Sequence, residues 1–400
     1  MESSLFFSKT QTSFTVPAVD WRWYLGKSAD LSLLGELDAA TKRKISLALN
    51  NPESASFSIN TLEDIAPKID ELSTCLLAYR NGRMKWSGPV WTVSDELPAG
   101  SVDVACVGWY ELFNKRLLKC GPNAPVSMPT TTAIAQTYTE KDQTAIIADL
   151  IARTLLDSVF LNPKITIGSV PSTFANGGSR NITYQQFQNI GQAIINMANV
   201  ENGFDFHVDP VTLLFNMYHS LIAPDVPGMT IRGRGDHRRN TVFGYKWGPS
   251  NIARLKRVKD ASKVVNDEYV LGQFGLGNQT DAGSIAEYGK LTQQASLSDV
   301  VSPTILKSYA AAQVAIFSQP QSIYSFDVLP YSTEIDVPQP FDDFDIGDVV
   351  GLGANYGRVK VPAAGSGPNA LPVRLFAFDI EIGEEGQEEV KNVQTVYTTS

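Results

Sequence analysis

Four carboxylates lie within eight residues at the start of the segment FDDFDIGDVVGL, residues 341–352. A cluster of this kind could bind a hard cation or supply a pair of catalytic acids. A calcium-binding EF-hand loop needs acids at its first, third and fifth positions and glycine at the sixth. With Asp343 and Asp345 as the first two ligands, Gly347 occupies the fifth position, where a ligand should stand. The spacing excludes an EF-hand, and a polar turn that leads into a strand is the simpler interpretation.

Residues for other catalytic chemistry are few. Nucleophilic hydrolysis needs Ser or Cys beside His and an orienting acid, and the chain contains no G-x-S-x-G motif. Pairs of acids for glycoside hydrolysis are available in residues 341–348 and 379–389, but charge runs of this kind are typical of solvated turns. A structural role is expected for the three histidines, His207, His219 and His237. The sequence therefore favours a protein without catalytic residues, metal ligands or cofactors.

The composition indicates a folded protein of several subdomains. The chain has 400 residues, of which 43% are hydrophobic and 19% charged, as in ordinary globular proteins, and one compact core seldom organises so long a chain. A formal charge of -9 argues against a dedicated nucleic-acid binder. The N-terminal residues lack the pattern of a signal peptide, and no apolar run approaches the roughly 20 residues of a membrane span. Three widely spaced cysteines are expected to be buried free thiols: Cys75, Cys106 and Cys120.

The first 120 residues have the pattern of an all-β module. In KISLALNNPESASFSI, residues 44–59, apolar side chains alternate with polar ones on both sides of an Asn-Pro turn, which predicts an antiparallel hairpin. A second hairpin is predicted around Asn81-Gly82, because this dipeptide supplies the positive φ angles of a tight turn. The sequence DWRWYLG contains three clustered aromatic residues that could line an exposed binding groove: Trp21, Trp23 and Tyr24. Packing in the core is the alternative for them.

The middle region, residues 121–245, is predicted to be mixed α/β. The segment 143–160 has apolar residues at helical spacing. A second helix is predicted to begin after Thr183, because Gln186 completes a capping-box pattern. Its apolar stripe consists of Phe187, Ile190, Ile194 and Met197. A hairpin is expected around Asp209-Pro210.

The last region, residues 246–400, combines a basic linker, a helix and further strands. The stretch from Arg232 to Lys263 contains ten basic and two acidic residues, a net charge of +8. Because the whole chain carries -9, the remainder carries -17. This stretch could follow a nucleic-acid backbone, but the negative charge of the remainder favours one half of an electrostatic contact with an acidic neighbouring subunit. The candidate contact residues are Arg232, Arg234, Arg238, Arg239, Arg254, Lys256 and Arg257.

Three further elements are predicted in this region. The segment 272–296, which is rich in Gly, Gln and Ser, is expected to be flexible. Ser302-Pro303 is a strong helix start, and the predicted stripe of that helix contains Ile305, Tyr309, Ala312 and Ile316. Strands are predicted in IYSFDVLP, DIGDVVGL and RLFAFDIEI, with Phe376, Phe378, Ile380 and Ile382 on one face of the last.

The order of these segments resembles the tail hub, or baseplate-hub, proteins of long-tailed bacteriophages. In that family a strand ends in an Asn-Pro turn and continues in a Ser-rich strand, and a hairpin with Asn-Gly and Ser-Gly follows. That pattern falls here on Leu77, Tyr79, Asn81, Gly82, Trp86, Gly88 and Val90. The C-terminal helix and strands resemble the second module of the family.

The resemblance implies a mostly-β α+β fold with two small β-barrel hub modules flanking a mixed α/β middle region. Three copies would form a ring at the distal end of the tail, joining the sixfold tail tube to the threefold tip. Neighbours would be the tail tube or distal tail protein, the tape-measure protein and tail-tip or fibre proteins. DNA would pass through without being specifically bound. The chain would be folded in the host cytoplasm and located at the virion tail tip.

Two details of the resemblance concern function. Asp342, Asp343 and Asp345 are candidates for the wall of the channel, where acidic side chains would repel passing DNA. Many tail hubs carry a long C-terminal extension with a wall hydrolase or fibre segment, whereas the last strands here reach Ser400, so no intrinsic lytic activity is expected. The alternatives are a hexameric distal tail ring protein and a carbohydrate-binding or cell-wall-degrading tail-tip protein.

Overall fold

A computed structural model describes most of the chain, and the protein within it is mostly β with short helices. The described residues are 19–118, 135–155, 165–170, 179–198, 203–219, 241–247, 250–272, 275–297, 303–330, 337–361, 370–383 and 386–397. The predicted mostly-β α+β class is confirmed. None of the described helices combines the length and apolar character that a bilayer crossing requires.

The N-terminal region forms two successive antiparallel hairpins, as predicted. Asn81 and Gly82 have φ angles of 50° and 73°, the conformation of a type I′ turn. The elements of this region are β1 (Trp21–Lys27), β2 (Leu33–Glu36), β3 (Thr41–Ala48), β4 (Ser54–Asn60), β5 (Thr74–Arg80), β6 (Arg83–Glu96), β7 (Ser101–Val107) and α1 (Glu111–Asn114).

The long strand β6 changes partners along its length. Residues up to Pro89 pair with β5, and residues from Val90 onward pair with β7. Gly88 lies at the change, and a Cβ atom there would be 2.0 Å from the carbonyl oxygen of Val107. Only glycine permits this close approach of two backbones, which gives a physical reason for the Ser-Gly pair in the hairpin pattern.

The middle region is mixed α/β, and its hairpin around Asp209 is confirmed. The predicted first helix is also confirmed, with Ile147, Leu150 and Ile151 fully buried. The elements are β8 (Ala135–Asp142), α2 (Gln143–Leu155), β9 (Thr166–Ile167), β10 (Ser179–Gln185), α3 (Ile190–Ala198), β11 (Phe204–Val208) and β12 (Leu214–His219).

The predicted start of the second helix is wrong. Thr183 lies in β10, where it pairs with Thr137 of β8, and Phe187 is 56% exposed with a φ angle of 67°. The helix begins at Ile190, and the Asn189 side chain caps it by accepting the amide of Gln192 at 2.8 Å. Thr183 does not cap a helix, because it is part of the β10–β8 strand pair. The rest of the predicted stripe is buried.

The described residues from Val242 onward contain ten strands and two helices. Its elements are β13 (Val242–Tyr245), β14 (Ile252–Asp260), β15 (Asp267–Gly272), β16 (Leu276–Thr280), α4 (Ala282–Tyr288), β17 (Thr292–Leu297), α5 (Pro303–Phe317), β18 (Gln321–Val328), β19 (Val349–Tyr356), β20 (Val359–Val361), β21 (Leu371–Ile382) and β22 (Glu388–Tyr397). The expectation of a flexible segment at 272–296 is wrong, because most of it forms β16, α4 and β17 beside β15.

The predicted apolar stripe of α5 lies mostly outside the described side chains, which include Tyr309, half-buried, but none of the other three residues. In the described part of α5, Leu306, Ala310 and Val314 are buried, and the helix packs on β15 and β16.

The predicted face of β21 is confirmed at Phe378, Ile380 and Ile382 but not at Phe376. In β21 the pairing with β22 slips between Leu375 and Ala377 and again before Asp379. This β-bulge leaves Phe376 half-buried, whereas Leu375 and Phe378 are buried.

One fourteen-stranded sheet unites the two ends of the chain. Its main path runs β14-β18-β22-β21-β3-β4-β7-β6-β5-β1-β2, and every neighbouring pair on this path is antiparallel. The eight strands from β14 to β6 are called the ribbon below. β21 of the C-terminal half pairs with β3 of the N-terminal half from Ala377 to Ile382.

The described strands form no closed barrel, so the two expected β-barrel modules are open and share one sheet. The second part of β21 pairs with β3 of the N-terminal half, while its first part pairs with β19 of its own half. In the C-terminal half β13 and β14 do not pair through their backbones. The Asn251 side chain bridges them, donating to the Val242 carbonyl at 2.9 Å and accepting the Gly244 amide at 2.8 Å.

Three apolar clusters lie around this sheet. The largest contains buried residues of both halves, from Trp21 to Val393. The second lies between β5, α1 and the middle region, and the small third joins β15 to α5. β5 separates the first two clusters, because Leu76 and Ala78 face one and Cys75 and Leu77 face the other. This explains the nearly continuous apolar run in β5.

The bulge in β21 can be tested by mutating the two phenylalanines beside it. Phe378→Ala should lower the free energy of unfolding by about 3–5 kcal/mol, because Phe378 is 1% exposed in the main cluster. Phe376→Ala should cost clearly less, since its side chain is half-buried. Urea denaturation followed by tryptophan fluorescence measures both values. Equal losses of stability in the two variants would contradict the bulge and indicate that apolar and polar residues alternate without a break along β21.

Candidate functional site

The acidic segment forms the entry to β19. Gly347 has a φ angle of 90°, and the residues from Ile346 to Val350 are buried. The interpretation of this segment as a turn into a strand is confirmed. Asp342 and Asp343 are exposed and Asp345 is half-buried.

The carboxylates of this segment are engaged with nearby backbone. The Asp343 carboxylate accepts the amide of Gln339 at 2.7 Å, and buried Asp348 accepts the amide of Asp345 at 2.8 Å. The Asp345 carboxylate accepts the amide of Ile346 at 2.7 Å. Carboxylates that accept backbone amides stabilise tight turns. The cluster therefore holds the local chain conformation.

Asp342 has a longer-range partner in the N-terminal half. The Arg80 guanidinium, whose side chain is 2% exposed, donates to Asp342 and to Glu388 of β22. Its bonds to the two Glu388 oxygens measure 2.8 and 3.2 Å. The Trp21 indole N–H also donates to Glu388, at 2.7 Å. This buried, bidentate pair links β1 and β5 to the start of β22.

A second buried pair links the middle region to both ends of the chain. Arg374 of β21 donates to the carboxylate of Asp205 in β11, and its Nε donates to the carbonyl of Gly347 at 3.1 Å. The Asn50 side chain donates to Asp205 at 3.1 Å and accepts the amide of Phe206 at 2.9 Å. Asp205 is 2% exposed. The charge of Asp205 is thus compensated at the junction of all three regions.

The basic candidates are only partly within the described residues. Arg232, Arg234, Arg238 and Arg239 lie outside them, while the other three lie on β14. Arg254 forms an ion pair with Asp327 at 2.8 Å, and Arg257 donates to the carbonyl of Arg358 at 3.1 Å. Lys256 is exposed. Their role as subunit contacts stays a prediction, as does the channel role of Asp342, Asp343 and Asp345.

Two described cysteines are buried, and a serine beside a small cavity is hydrogen-bonded. Cys75 and Cys106 are buried free thiols, as expected, and burial raises the pKa of Cys75 to about 12. Cys120 lies outside the described residues. A cavity of about 20 Å³, room for one water, is lined by Ser87 and His207 among others. Ser87 donates to the carbonyl of Pro210 at 2.6 Å and accepts the indole N–H of Trp109.

The aromatic cluster belongs to the core. Trp21 is 6% exposed and Trp23 1%, and Tyr24 makes an edge contact with Tyr79. The alternative of core packing is confirmed for the two tryptophans. Within the described part of the chain, no group of three or more His, Cys, Asp or Glu is arranged to hold a metal ion.

One buried carboxylate lies outside the ion-pair networks of Arg80 and Arg374. Glu268 of β15 is fully buried, and neither of its oxygens has a hydrogen-bond partner among the described residues. Burial raises the pKa of this carboxyl group, and the charge of neighbouring Asp267 raises it further. Glu268 shares the buried face of β15 with Val270, against α5.

Comparison with known proteins yields solved structures but no sequence relative. No protein-family profile and no curated protein sequence matches the chain. The tail protein from Neisseria meningitidis MC58 superposes with a TM-score of 0.59 at 10% identity, covering 94% of this chain and 96% of that one. The 43 kDa tail protein of prophage MuSo2 from Shewanella oneidensis gives 0.58 at 9% identity, covering 94% and 97%. A prophage tail protein from Listeria monocytogenes gives 0.54 at 11% identity, covering 94% of both chains.

These similarities establish the fold. The chain has the fold of phage tail proteins over nearly its whole length, so the resemblance inferred from the sequence is confirmed as a statement about fold. The residues at the centre of the structure were not among the sequence candidates: Arg80, Glu388, Asp205, Arg374 and Asn50. For Arg80, the sequence offers one signal, a charged residue at the end of the apolar strand TCLLAYR. Such a residue indicates a buried ion pair only when its partner is known.

The Arg80–Glu388 pair can be tested by removing one or both charges. Arg80→Met should destabilise the fold by about 3–5 kcal/mol, because it leaves the Glu388 carboxylate buried without its counter-charge. Arg80→Met combined with Glu388→Leu should recover most of that loss. Arg22→Met is the control, since the Arg22–Asp20 pair is exposed and should contribute less than about 1 kcal/mol. Urea denaturation gives the three values, and an Arg80 effect as small as that of Arg22 would contradict the assignment.

The buried Glu268 predicts a pH-dependent stability difference. Below the ordinary pKa of 4.5 the carboxyl group is protonated in the folded and unfolded states, so the difference in stability between wild type and Glu268→Gln should not depend on pH there. As pH rises through the raised folded pKa, the unfolded state ionises first and the wild type loses stability relative to the variant. Denaturation of both proteins from pH 4 to pH 8 measures the difference. A difference that does not change with pH would contradict the prediction, and Glu287→Gln, exposed on α4, is the control.

Proposed function

We propose that this chain is a structural protein of a phage tail, located at the distal tip, where three copies form a hub ring around the DNA channel. The observation that carries the proposal is the tail-protein fold itself, matched over 94% of the chain by three solved tail proteins. Two β modules joined in one chain add to it, because three such chains present six modules. Such a ring can join the sixfold tail tube to a threefold tip.

The two halves are held as one unit, as a ring component requires. The backbone pairing of β21 with β3 and the buried pairs of Arg80 and Arg374 connect all three regions that we propose, 1–120, 121–245 and 246–400. A rigid double module has a fixed angle between its halves. A fixed angle favours one closed ring over a range of open chains.

The outer face of the ribbon, opposite the main apolar cluster, is our candidate for the channel wall. It presents small polar side chains, among them Ser46, Ser56, Ser94, Ser325 and Gln394. Its charges are largely paired, as in Lys44–Asp379 at 2.8 Å and Arg254–Asp327 at 2.8 Å. A wall of balanced charge lets DNA pass without strong attraction.

The alternatives receive less support. A hexameric distal ring needs one module per chain, whereas this chain has two halves in one sheet. A carbohydrate-binding tip protein would use exposed aromatic side chains, but Trp21 and Trp23 are buried. We therefore propose a non-enzymatic role, with the tail tube or distal tail protein, the tape-measure protein and tip or fibre proteins as neighbours.

The oligomeric state tests the ring directly. Light scattering of the purified chain over a range of concentrations should give three times the chain mass of 43.6 kDa. A sixfold mass would indicate the distal ring, and a single-chain mass at every concentration would contradict self-assembly. Clearing of a bacterial cell-wall suspension by the pure protein would contradict the non-enzymatic role.

A further inference from the structure

The carboxylate of Glu268 lies beneath helix α5. Glu268 and Val270 share the face of β15 that packs against this helix, and both residues are fully buried. Neither Glu268 oxygen has a hydrogen-bond partner among the described residues. Such a carboxyl group is tolerated as the neutral acid and disfavoured as the anion, because burial removes its hydration and nothing replaces it.

The titratable groups around Glu268 supply no positive charge to it. Asp267 points to the opposite face of β15, where its carboxylate pairs with the ammonium of Lys290 at 2.9 Å and accepts the hydroxyl of Thr292 at 3.1 Å. On the α5 side the phenol of Tyr309 faces Glu268, since burial and then the charge of Glu268 raise the pKa of Tyr309. Within the described part of the chain, Glu268 therefore lies between an anion and a neutral phenol.

The hydrogen bonds that anchor α5 lie at its C-terminal end. The Val265 amide, just before β15, donates to the carbonyl of Phe317 at 3.0 Å. The Ser284 hydroxyl of α4 donates to the carbonyl of Ser318. From Pro303 to Ile316, no described hydrogen bond joins the helix to β15, β16 or α4. One end of α5 is therefore fixed, and the rest is held by side-chain packing.

The packing along the rest of α5 is close but covers little apolar surface. A Cβ atom on Gly277 would be 2.3 Å from the carbonyl carbon of Leu306, so the helix lies directly on the backbone of β16. The apolar cluster beneath α5 contains only three buried residues in the described structure: Val270, Leu306 and Ala310. Because the hydrophobic contribution scales with buried apolar area, so small a cluster offsets little of the unfavourable burial of an anion.

We propose that α5 is a hinged cover that closes on β15 and β16 when Glu268 is protonated and lifts from them when Glu268 is ionised. Its C-terminal end, at Phe317, is the hinge. Lifting returns the carboxylate to water and loses only the small cluster beneath the helix. The main sheet is not involved, because local openings of this kind occur at free energies below that of global unfolding.

The opening has a defined dependence on pH. Below the ordinary pKa of 4.5 Glu268 is protonated whether the cover is open or closed, so the opening equilibrium is constant. Between 4.5 and the raised pKa of the closed form, opening releases one proton, and each pH unit should increase the open fraction about tenfold. Above the raised pKa both forms are ionised and the equilibrium is constant again. The cover is therefore closed in acid and opens as the pH rises.

Hydrogen–deuterium exchange of the full chain tests the cover. A detached helix of 15 residues is marginal in water, so its amides exchange when it lifts. Between pH 4 and pH 8, with rates corrected for the intrinsic effect of pH, protection of residues 306–314 should fall by up to about tenfold per pH unit in wild type. In Glu268→Gln it should not depend on pH. Glu287→Gln, an exposed change on α4, should behave as wild type.

The same measurements can overturn the proposal. An equal dependence on pH in wild type and Glu268→Gln would show that another group controls α5. An equal loss of protection in β21 and β22 would show global unfolding, and an equal loss at the Val265 amide would show that the whole helix leaves and that no hinge exists.

A second variant opens the cover without changing any charge. The methyl group of Gly277→Ala would overlap the backbone of Leu306 and push α5 away from β16. Protection of residues 306–314 should then fall at pH 4 as well, while β21 and β22 keep their wild-type protection and so report that the variant is folded. Wild-type protection of α5 in this variant would contradict the close packing on which the cover depends.

Discussion

The antiparallel pairing of β21 with β3 is the contact on which the rest of the structure depends. It joins strands that are more than 300 residues apart in the sequence, and through it the two ends of the chain share one sheet and one apolar cluster. Contacts of such separation carry a large loop-closure entropy. They are stable only when many other interactions form with them. The buried side chains of both strands and the ion pairs of Arg80 and Arg374 provide those interactions.

The buried ion pairs fix the geometry that apolar packing leaves open. Apolar contact is non-directional, whereas a bidentate pair such as Arg80–Glu388 tolerates little displacement. Desolvation reduces the net stability gained from such pairs. Their larger effect is on specificity, since any other arrangement leaves a buried charge without its partner. Asp342, which the sequence suggested as a channel residue, takes part in this network through Arg80.

Local sequence patterns predicted much of the fold. The features that were predicted wrongly depend on pairing with strands that are distant in the sequence. Asn81-Gly82 and the alternation in residues 44–59 identified their hairpins, because turn geometry and burial act over a few residues. The capping signal at Thr183 failed when a strand ladder competed for the same residue. The alternation through Phe376 failed at a bulge that the neighbouring strand imposes. Arg80 could not be recognised as a central residue, since its partners lie 262 and 308 positions away.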